Sequence, residues 1–134
     1  MNWTHDAIAD FGRRIGLEGW TLNSHGVAQL QFQRGALLAV EPVADEVLIY
    51  LVEDAPYTSP AQWLDALKRC HARRRSAWPI QVGRRANTAG GGTEIVVLTR
   101  MPERSLTPQQ LEEAVLGVMR WRDEWASGAP QHRG

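Results

Sequence analysis

The amino-acid sequence predicts an α+β domain with the element order αβββαββα, built on a five-stranded antiparallel sheet. Two observations lead to this prediction. Three segments carry apolar residues at the three- and four-residue spacing of amphipathic helices, and two of them open with a Ser-Pro or Thr-Pro capping sequence. Five other segments alternate apolar with polar residues or are apolar on both faces, and turn-forming stretches separate them.

The three helices are placed by their start signals and their spacing. The first is expected from Thr4, as its N-cap, to Ile15, and it buries Ile8 and Phe11 on one face. The second and third begin at the sequences SPAQ (59–62) and TPQQ (107–110), where a hydroxyl caps the helix and a glutamine three residues on completes a capping box. These signals are local, so they fix where each helix starts.

The strands follow from alternation and from apolar runs. Three glycines at 90–92 predict a mobile hairpin loop over residues 86–92, between the last two strands. Pro42 is expected to end the second strand. The expected strands are 28–32, 36–41, 47–52, 79–85 and 93–101.

Length and composition indicate one soluble domain. The chain has 134 residues, fifteen Lys and Arg against fifteen Asp and Glu, and 43% hydrophobic residues. Its longest apolar run is far shorter than the roughly 18 residues of a membrane-spanning helix, and no apolar leader opens the sequence. The lone Cys70 fits a reducing compartment. We therefore expect a single domain over residues 1–125, a disordered tail over 126–134, and a cytoplasmic location.

The sheet is expected to need a cover that this chain does not supply. Five strands make a sheet about 20 Å wide, and two helices of about 10 Å diameter cover one face of it. The other face is apolar too, and the middle helix alone would leave much of it exposed. We therefore predict a two-fold symmetric homodimer with the middle helix near its interface, although ordinary core packing is an open alternative for each interface residue. The expected interface residues are Trp63, Leu67, Cys70, Trp78, Ile80 and Val82.

No catalytic residues, metal or cofactor are predicted. Cys70 and His71 are adjacent on a helix and point about 100° apart, so they cannot form a nucleophile–base pair. Cys70 is instead expected to act as a small apolar residue. The four histidines lack the spacing of a metal site, and the glycine-rich segment 90–93 lacks the ending of a phosphate-binding loop.

A band of positive charge runs from Lys68 to Arg85, with seven cations and no acid. Such a band can contact an acidic partner or RNA, or it can simply face the solvent. The stacking aromatics and strand motifs of RNA-binding domains are missing. With a formal net charge of zero, neither nucleic acid nor membrane is expected as a partner.

Several stretches resemble a known family. The stretch FGRRIGLEGWTLNSHGVAQLQFQRG (11–35) joins a helix that ends in an Ile-Gly-Leu step to a Gly-Val pair and an alternating strand. The runs ALLAVEP, VLIYLV and EIVVLTRMP continue the pattern up to the last capped helix. In this order of elements, from about Ile8 to Trp125, the sequence resembles the class I type III secretion chaperones, the family that includes the Tir chaperone.

The resemblance implies a homodimer without enzymatic activity. Such a protein would bind the extended N-terminal segment of one or more secreted effectors and keep it soluble and competent for export. It would do so by adding a strand to a sheet edge and by placing apolar side chains in grooves. The effector-binding residues that the resemblance implies are Phe11, Ile15, Leu30, Phe32 and Leu38, each with core packing as the alternative.

One departure from the family concerns charge. Members are commonly acidic, whereas this chain is neutral and rich in arginine. The band Lys68–Arg85 would then meet an unusually acidic partner or the secretion machinery. Two alternatives stay open: an interaction or regulatory module of the same fold with no role in secretion, and an RNA-binding domain that uses this band.

Overall fold

The computed structural model describes residues 3–32, 35–54, 59–71, 78–86 and 92–127. Its element order confirms the predicted αβββαββα fold, with a short 3-10 turn at Glu103–Ser105 before the last helix. The elements are α1 (Trp3–Arg14), β1 (Ala28–Gln31), β2 (Leu37–Val43), β3 (Glu46–Asp54), α2 (Pro60–His71), β4 (Ile80–Ala86), β5 (Thr93–Pro102) and α3 (Pro108–Ser127).

The five strands form one antiparallel sheet in the order β1-β2-β3-β5-β4. The register places Val40 opposite Ile49, Ile49 opposite Thr99, and Thr99 opposite Ile80, so one row of side chains crosses four strands on the same face. All four are buried. β1 and β4 are the edge strands, which leaves two free edges.

The core lies between this face of the sheet and the helices. Phe11 and Ile8 of α1 and Leu111 and Val118 of α3 are at most 2% exposed and belong to one cluster with the buried strand residues. Burying a large apolar side chain of this kind contributes about 1.5–3 kcal/mol. Most of the apolar residues that the sequence places on one side of each helix are thus buried against one face of the sheet.

The middle helix lies on this same side of the sheet, which corrects the expectation that it covers the opposite face. Ala66 is fully buried in the core cluster. The Trp63 ring lies 5.9 Å from the Trp125 ring of α3, and the Trp125 indole N–H donates to the carbonyl of Gln62 at 3.1 Å. α2 contacts both β4 and α3.

Several boundaries differ from the prediction, and three of the differences concern α1, β1 and β2. Thr4 lies inside α1 with its side chain buried, so it is not the N-cap. β1 ends at Gln31, before Phe32. β2 continues through Pro42 to Val43. The even-numbered residues of β2 direct their backbone groups toward β1, but the last β2 residue that pairs with β1 is Val40, so Pro42 faces no partner strand on that side. Pro42 therefore loses no ladder hydrogen bond.

The capping box at α2 and the hydroxyl cap at α3 are confirmed, whereas the Gln110 side chain at α3 accepts the Trp78 indole N–H instead. The Ser59 N–H donates to Gln62 Oε1 at 2.7 Å, and the Gln62 N–H donates to Ser59 Oγ at 3.2 Å. At α3 the Gln110 N–H donates to Thr107 Oγ1 at 3.0 Å.

Several predicted features lie outside the described residues: the arginines 73–75, loop residues 87–91, and tail residues 128–134. α3 itself continues to Ser127, two residues into the predicted tail. Within the described part, no helix is both long and apolar enough to cross a bilayer. The same ranges hold no group of three or more His, Cys, Asp or Glu suited to a metal ion.

Candidate functional site

A groove of about 370 Å³ opens between α1, the end of β1, and α3, and we call it the α1–α3 groove. Of the ten described residues that line it, nine are apolar and the tenth is Glu112. The structure brings all five sequence-predicted effector-binding residues to its wall: Phe11, Ile15, Leu30, Phe32 and Leu38.

The groove has a buried floor and an exposed rim. Phe11 and Leu38 in the floor are 2% and 1% exposed, so they also belong to the core. Leu30 and Phe32 are half-buried. At the rim, Ile15 is 41% exposed although it is a large apolar residue. Exposed apolar area beside a concave surface is typical of a binding site.

The α1 end of the groove is shaped by a Schellman motif. Gly16 has a φ of 87°, in the left-handed region, and follows directly after Ile15. The Leu17 N–H donates to the Gly12 carbonyl at 2.7 Å, and the Gly16 N–H donates to the Arg13 carbonyl at 3.1 Å. The reversal of the chain places both apolar neighbours of Gly16 in the groove.

Half of the groove wall was missed by sequence reasoning. Four residues come from α3, and Leu17 comes from the turn after α1. The α3 residues lie three or four apart on a face adjacent to the core stripe, which is the one signal that could have pointed to them. They are Glu112, Val115, Leu116 and Met119.

The free edge of β1 beside the groove is partly closed by this chain itself. Residues 27, 29 and 31 direct their backbone groups away from β2. The Val27 carbonyl accepts the Asn23 N–H at 2.8 Å, and the Gln29 carbonyl accepts the Trp20 indole N–H at 2.7 Å. Among the described residues, the outward backbone groups of Gln31 have no hydrogen-bond partner.

Trp20 is held in place from the α1 side. Its ring lies 5.8 Å from the Phe11 ring in a tilted arrangement. Gly12 leaves room for it, because a β-carbon at position 12 would lie 2.8 Å from Trp20 Cβ. Strand addition at β1 is therefore open at the Gln31 end, next to the groove, and closed near Gln29.

A second concave surface lies around the edge strand β4, and we call it the α2–β4 cavity. It measures about 620 Å³ and wraps from α2 around β4 onto the sheet face that carries Val96 and Leu98. Four of the six predicted interface residues line it: Leu67, Cys70, Ile80 and Val82.

The other two predicted interface residues point toward α3. Trp63 packs against Trp125, and the Trp78 indole N–H donates to Gln110 Oε1 at 3.3 Å. The exposed large apolar residues of α2 are Leu64 and Leu67, at 54% and 52%.

Cys70 behaves as the small apolar residue that the sequence predicts. Burial raises the pKa of its thiol, and a hydrogen bond from the Val82 backbone N–H partly offsets this rise. A thiol with a raised pKa stays protonated at neutral pH and is a poor nucleophile. Because the sulfur accepts this hydrogen bond, the Val82 N–H on the free edge of β4 already has a partner.

Much of the described positive band is already paired. Arg69 is 8% exposed and binds Asp65 at 2.9 Å, and Arg85 binds Glu94 at 2.9 Å. The Arg84 guanidinium lies 6.0 Å from the centre of the Trp63 ring. In the described part of the band, this arrangement does not favour the RNA-binding alternative.

The family comparison agrees with this geometry. The family model described as "Type III secretory system chaperone SycN" matches residues 3–126. The chain belongs to this family of type III secretion chaperones. The resemblance drawn from the sequence is thereby confirmed. No curated protein matches the chaperone in sequence.

The chaperone is similar in fold to chains of three solved structures. One is the crystal structure of the Yersinia pestis type III secretion chaperone SycH with a stable fragment of YscM2, at a TM-score of 0.64 and 14% identity, covering 92% of this chain and 98% of that one. Another is the HopA1–SchA chaperone–effector complex, at 0.65 and 12%, covering 95% and 98%. A third is the ExsC–ExsE complex, at 0.68 and 18%, covering 97% and 98%.

Proposed function

We propose that this type III secretion chaperone binds an extended segment from the N-terminal part of a secreted effector in the α1–α3 groove. It holds that segment soluble and competent for export, in the bacterial cytoplasm and without catalysing a reaction. The observation that supports this most directly is the groove, where an almost wholly apolar wall carries exposed rim residues. Two of the structures with a similar fold hold a chaperone with an effector or a protein fragment.

Binding combines apolar burial with a short stretch of strand pairing. Ordering an extended segment costs conformational entropy, which apolar burial must offset. Ile15 and Leu116 are 41% and 49% exposed, so both gain buried area when a segment enters. The open backbone groups of Gln31 can pair with the same segment as it passes the end of β1.

We further propose that the chaperone works as a homodimer that meets through the α2–β4 cavity. Leu64 and Leu67 are more than half exposed on α2. The sheet face that carries Tyr50, Val96 and Leu98 lies opposite the helices, and all three side chains are half-buried. A stable dimer buries about 1,200–2,000 Å² in total, and this apolar surface continues from α2 around β4 onto that face.

Two exposed leucines make a matched pair for testing both proposals. Leu116 is 49% exposed on α3 at the groove, and Leu67 is 52% exposed on α2 at the cavity. Each is changed to Asp. We expect Leu116→Asp to remain dimeric and to lose effector capture, because a carboxylate cannot be buried against an apolar segment. We expect Leu67→Asp to be monomeric.

Sedimentation measures the mass, and co-expression with the first hundred or so residues of candidate secreted proteins, followed by purification, measures capture. Phe32→Asp is a second groove variant, and Val43→Asp is a control at an exposed apolar residue outside both regions. The expected complex has two chaperone chains per effector. Folded groove variants that capture as much effector as the Val43→Asp control would refute the groove assignment. A monomeric unmodified protein at micromolar concentration would refute the dimer.

A further inference from the structure

Among the residues that the structure describes, Glu112 is the one ionisable residue that lines the α1–α3 groove. It lies in the second turn of α3, on the same face as Leu116 and Met119, and it is half-buried. No ion pair or hydrogen bond of its carboxylate occurs among the described residues. Two carboxylates of similar burial are paired instead: Glu53 binds Arg122 at 2.6 Å, and Glu94 binds Arg85 at 2.9 Å.

An unpaired carboxylate at the wall of an apolar groove makes the groove charge-selective. Beside low-dielectric groups the attraction to a cation is stronger than in water, and a second carboxylate is repelled. A bound segment that displaced water from Glu112 without supplying a cation would carry a desolvation cost. Such a groove therefore binds apolar segments that carry a cation more tightly than neutral or acidic ones.

We propose that Glu112 selects effector segments that place a lysine or arginine beside the apolar side chains held in the groove. This inference rests on the proposed function, since it concerns the same groove, and it adds the chemistry of the preferred segment. Glu112 acts as a specificity-determining residue. The apolar wall binds any apolar segment, and Glu112 makes the affinity depend on the charge that the segment carries.

Two probes of equal chain length, decylammonium and decanoate, separate charge from apolar binding when used below their micelle concentrations. Methyl NMR of labelled methionine localises each probe, because the chain has three methionines. Met119 lines the groove, and Met101 is fully buried in the core and serves as an internal control. We expect both probes to shift the Met119 signal, with decylammonium binding about three- to tenfold more tightly at low salt.

Two neighbouring acids provide matched variants. Glu112→Gln keeps the shape of the side chain and should abolish the preference for decylammonium. Glu113→Gln should keep it, because Glu113 is exposed and does not line the groove. Both variants remove one acid near the N-terminus of α3, so any effect through the helix dipole is common to both. Raising the salt concentration should shrink the preference of the unmodified protein.

Equal affinities for the two probes, or a preference that survives Glu112→Gln, would overturn the charge selection and leave the groove itself intact as an apolar site. A Met119 signal that neither probe shifts would overturn the groove as a binding site as well. A preference lost in Glu112→Gln and kept in Glu113→Gln would support the proposal.

Discussion

The α1–α3 groove and the α2–β4 cavity are both apolar, yet they are built differently. The groove is walled by two helices and the end of β1, and its floor is the core itself. The cavity wraps around a free strand edge, and it mixes apolar residues with Gln81 and Arg100. The cavity is also the larger of the two, at about 620 Å³ against about 370 Å³ for the groove.

This difference teaches which surface suits which partner. A narrow groove with a fixed floor suits an extended segment that inserts side chains one after another. A wide surface that mixes apolar and polar residues suits a large self-complementary contact, in which each patch meets its own copy. Mutations at the two surfaces should lower the free energy of unfolding of the monomer by very different amounts, and this tests the difference between groove and cavity.

The largest expected effect is at the groove floor. Phe11→Ala should lower the free energy of unfolding by about 3–5 kcal/mol, because Phe11 is 2% exposed and part of the core. Leu67→Ala should cost the monomer less than about 0.5 kcal/mol, since Leu67 is 52% exposed. Urea unfolding at concentrations that keep the chain monomeric measures both. Similar costs for the two changes would mean that Leu67 is also core, and the comparison would fail.

The next effect concerns the anchor of α3, the helix that walls the groove and also contacts α2. Arg122 holds Glu53 of β3 with two hydrogen bonds of 2.6 and 2.7 Å, and this pairing raises the Arg122 pKa above its usual range. Arg122→Ala should cost about 2 kcal/mol, because it leaves Glu53 half-buried without its partner.

The matched control for that anchor is an exposed ion pair. Arg100 lies 3.6 Å from Glu46, and both side chains are nearly half exposed. Arg100→Ala should therefore change the free energy of unfolding by less than about 0.5 kcal/mol. An Arg122→Ala cost no larger than that of Arg100→Ala would show that α3 is held by apolar packing alone.

A pH-dependent effect is expected on the open sheet face. Burial, together with the 2.7 Å hydrogen bond that its hydroxyl donates to Glu41, raises the pKa of Tyr50 to about 12. Because the folded-state pKa lies above the ordinary value of about 10, this contribution to stability is complete below pH 10 and is lost between pH 10 and 12. Tyr50→Phe should cost about 1 kcal/mol at neutral pH.

As the pH rises from 10 to 12 the unmodified protein should become less stable than Tyr50→Phe, because a shift of one pKa unit already outweighs about 1 kcal/mol. Urea unfolding across this range measures the crossing. A gap that stays constant up to pH 12 would contradict the pKa assignment. If a second copy covers this face, the Tyr50 titration should also depend on protein concentration.

The smallest effect lies outside both regions. Ala44, in the turn between β2 and β3, has a φ of 55°, which favours glycine. Ala44→Gly should raise the free energy of unfolding by about 0.5 kcal/mol and leave dimerisation and effector capture unchanged. The neighbouring change Asp45→Gly should give no gain, because Asp45 does not have a positive φ. A gain from Asp45→Gly and none from Ala44→Gly would contradict this account of the turn.

The sequence predicted what depends on neighbours along the chain. The capping residues Ser59 and Thr107 fixed two helix starts because their hydrogen bonds reach only three residues. Alternation along β1 placed Leu30 and Phe32 on one side, and α1 followed from its spacing. Their assignment to a groove, together with Leu38, came from the resemblance to the family. Strand alternation and helix periodicity are local rules, so they predict which face of its own element each of these residues occupies.

What the sequence could not give depends on distant contacts. The position of α2 follows from Trp63 meeting Trp125, and these residues are far apart along the chain. The share of α3 in the groove follows from how α1 and α3 pack together. Pro42 was expected to end its strand, and it does not, because whether a proline disturbs a sheet depends on where the neighbouring strand stops.

The absence of a side chain at position 12 has a practical consequence for anyone who redesigns this protein. Replacing helical glycines by alanine is a common route to higher melting temperatures. Here an added methyl group would lie 2.8 Å from Trp20 Cβ and 3.0 Å from the Leu17 carbonyl oxygen. It would displace the Trp20 indole from the Gln29 carbonyl, to which it donates a hydrogen bond. The edge of β1 would then be exposed, and exposed strand edges promote aggregation. A thermostable version should therefore be sought elsewhere along the helix.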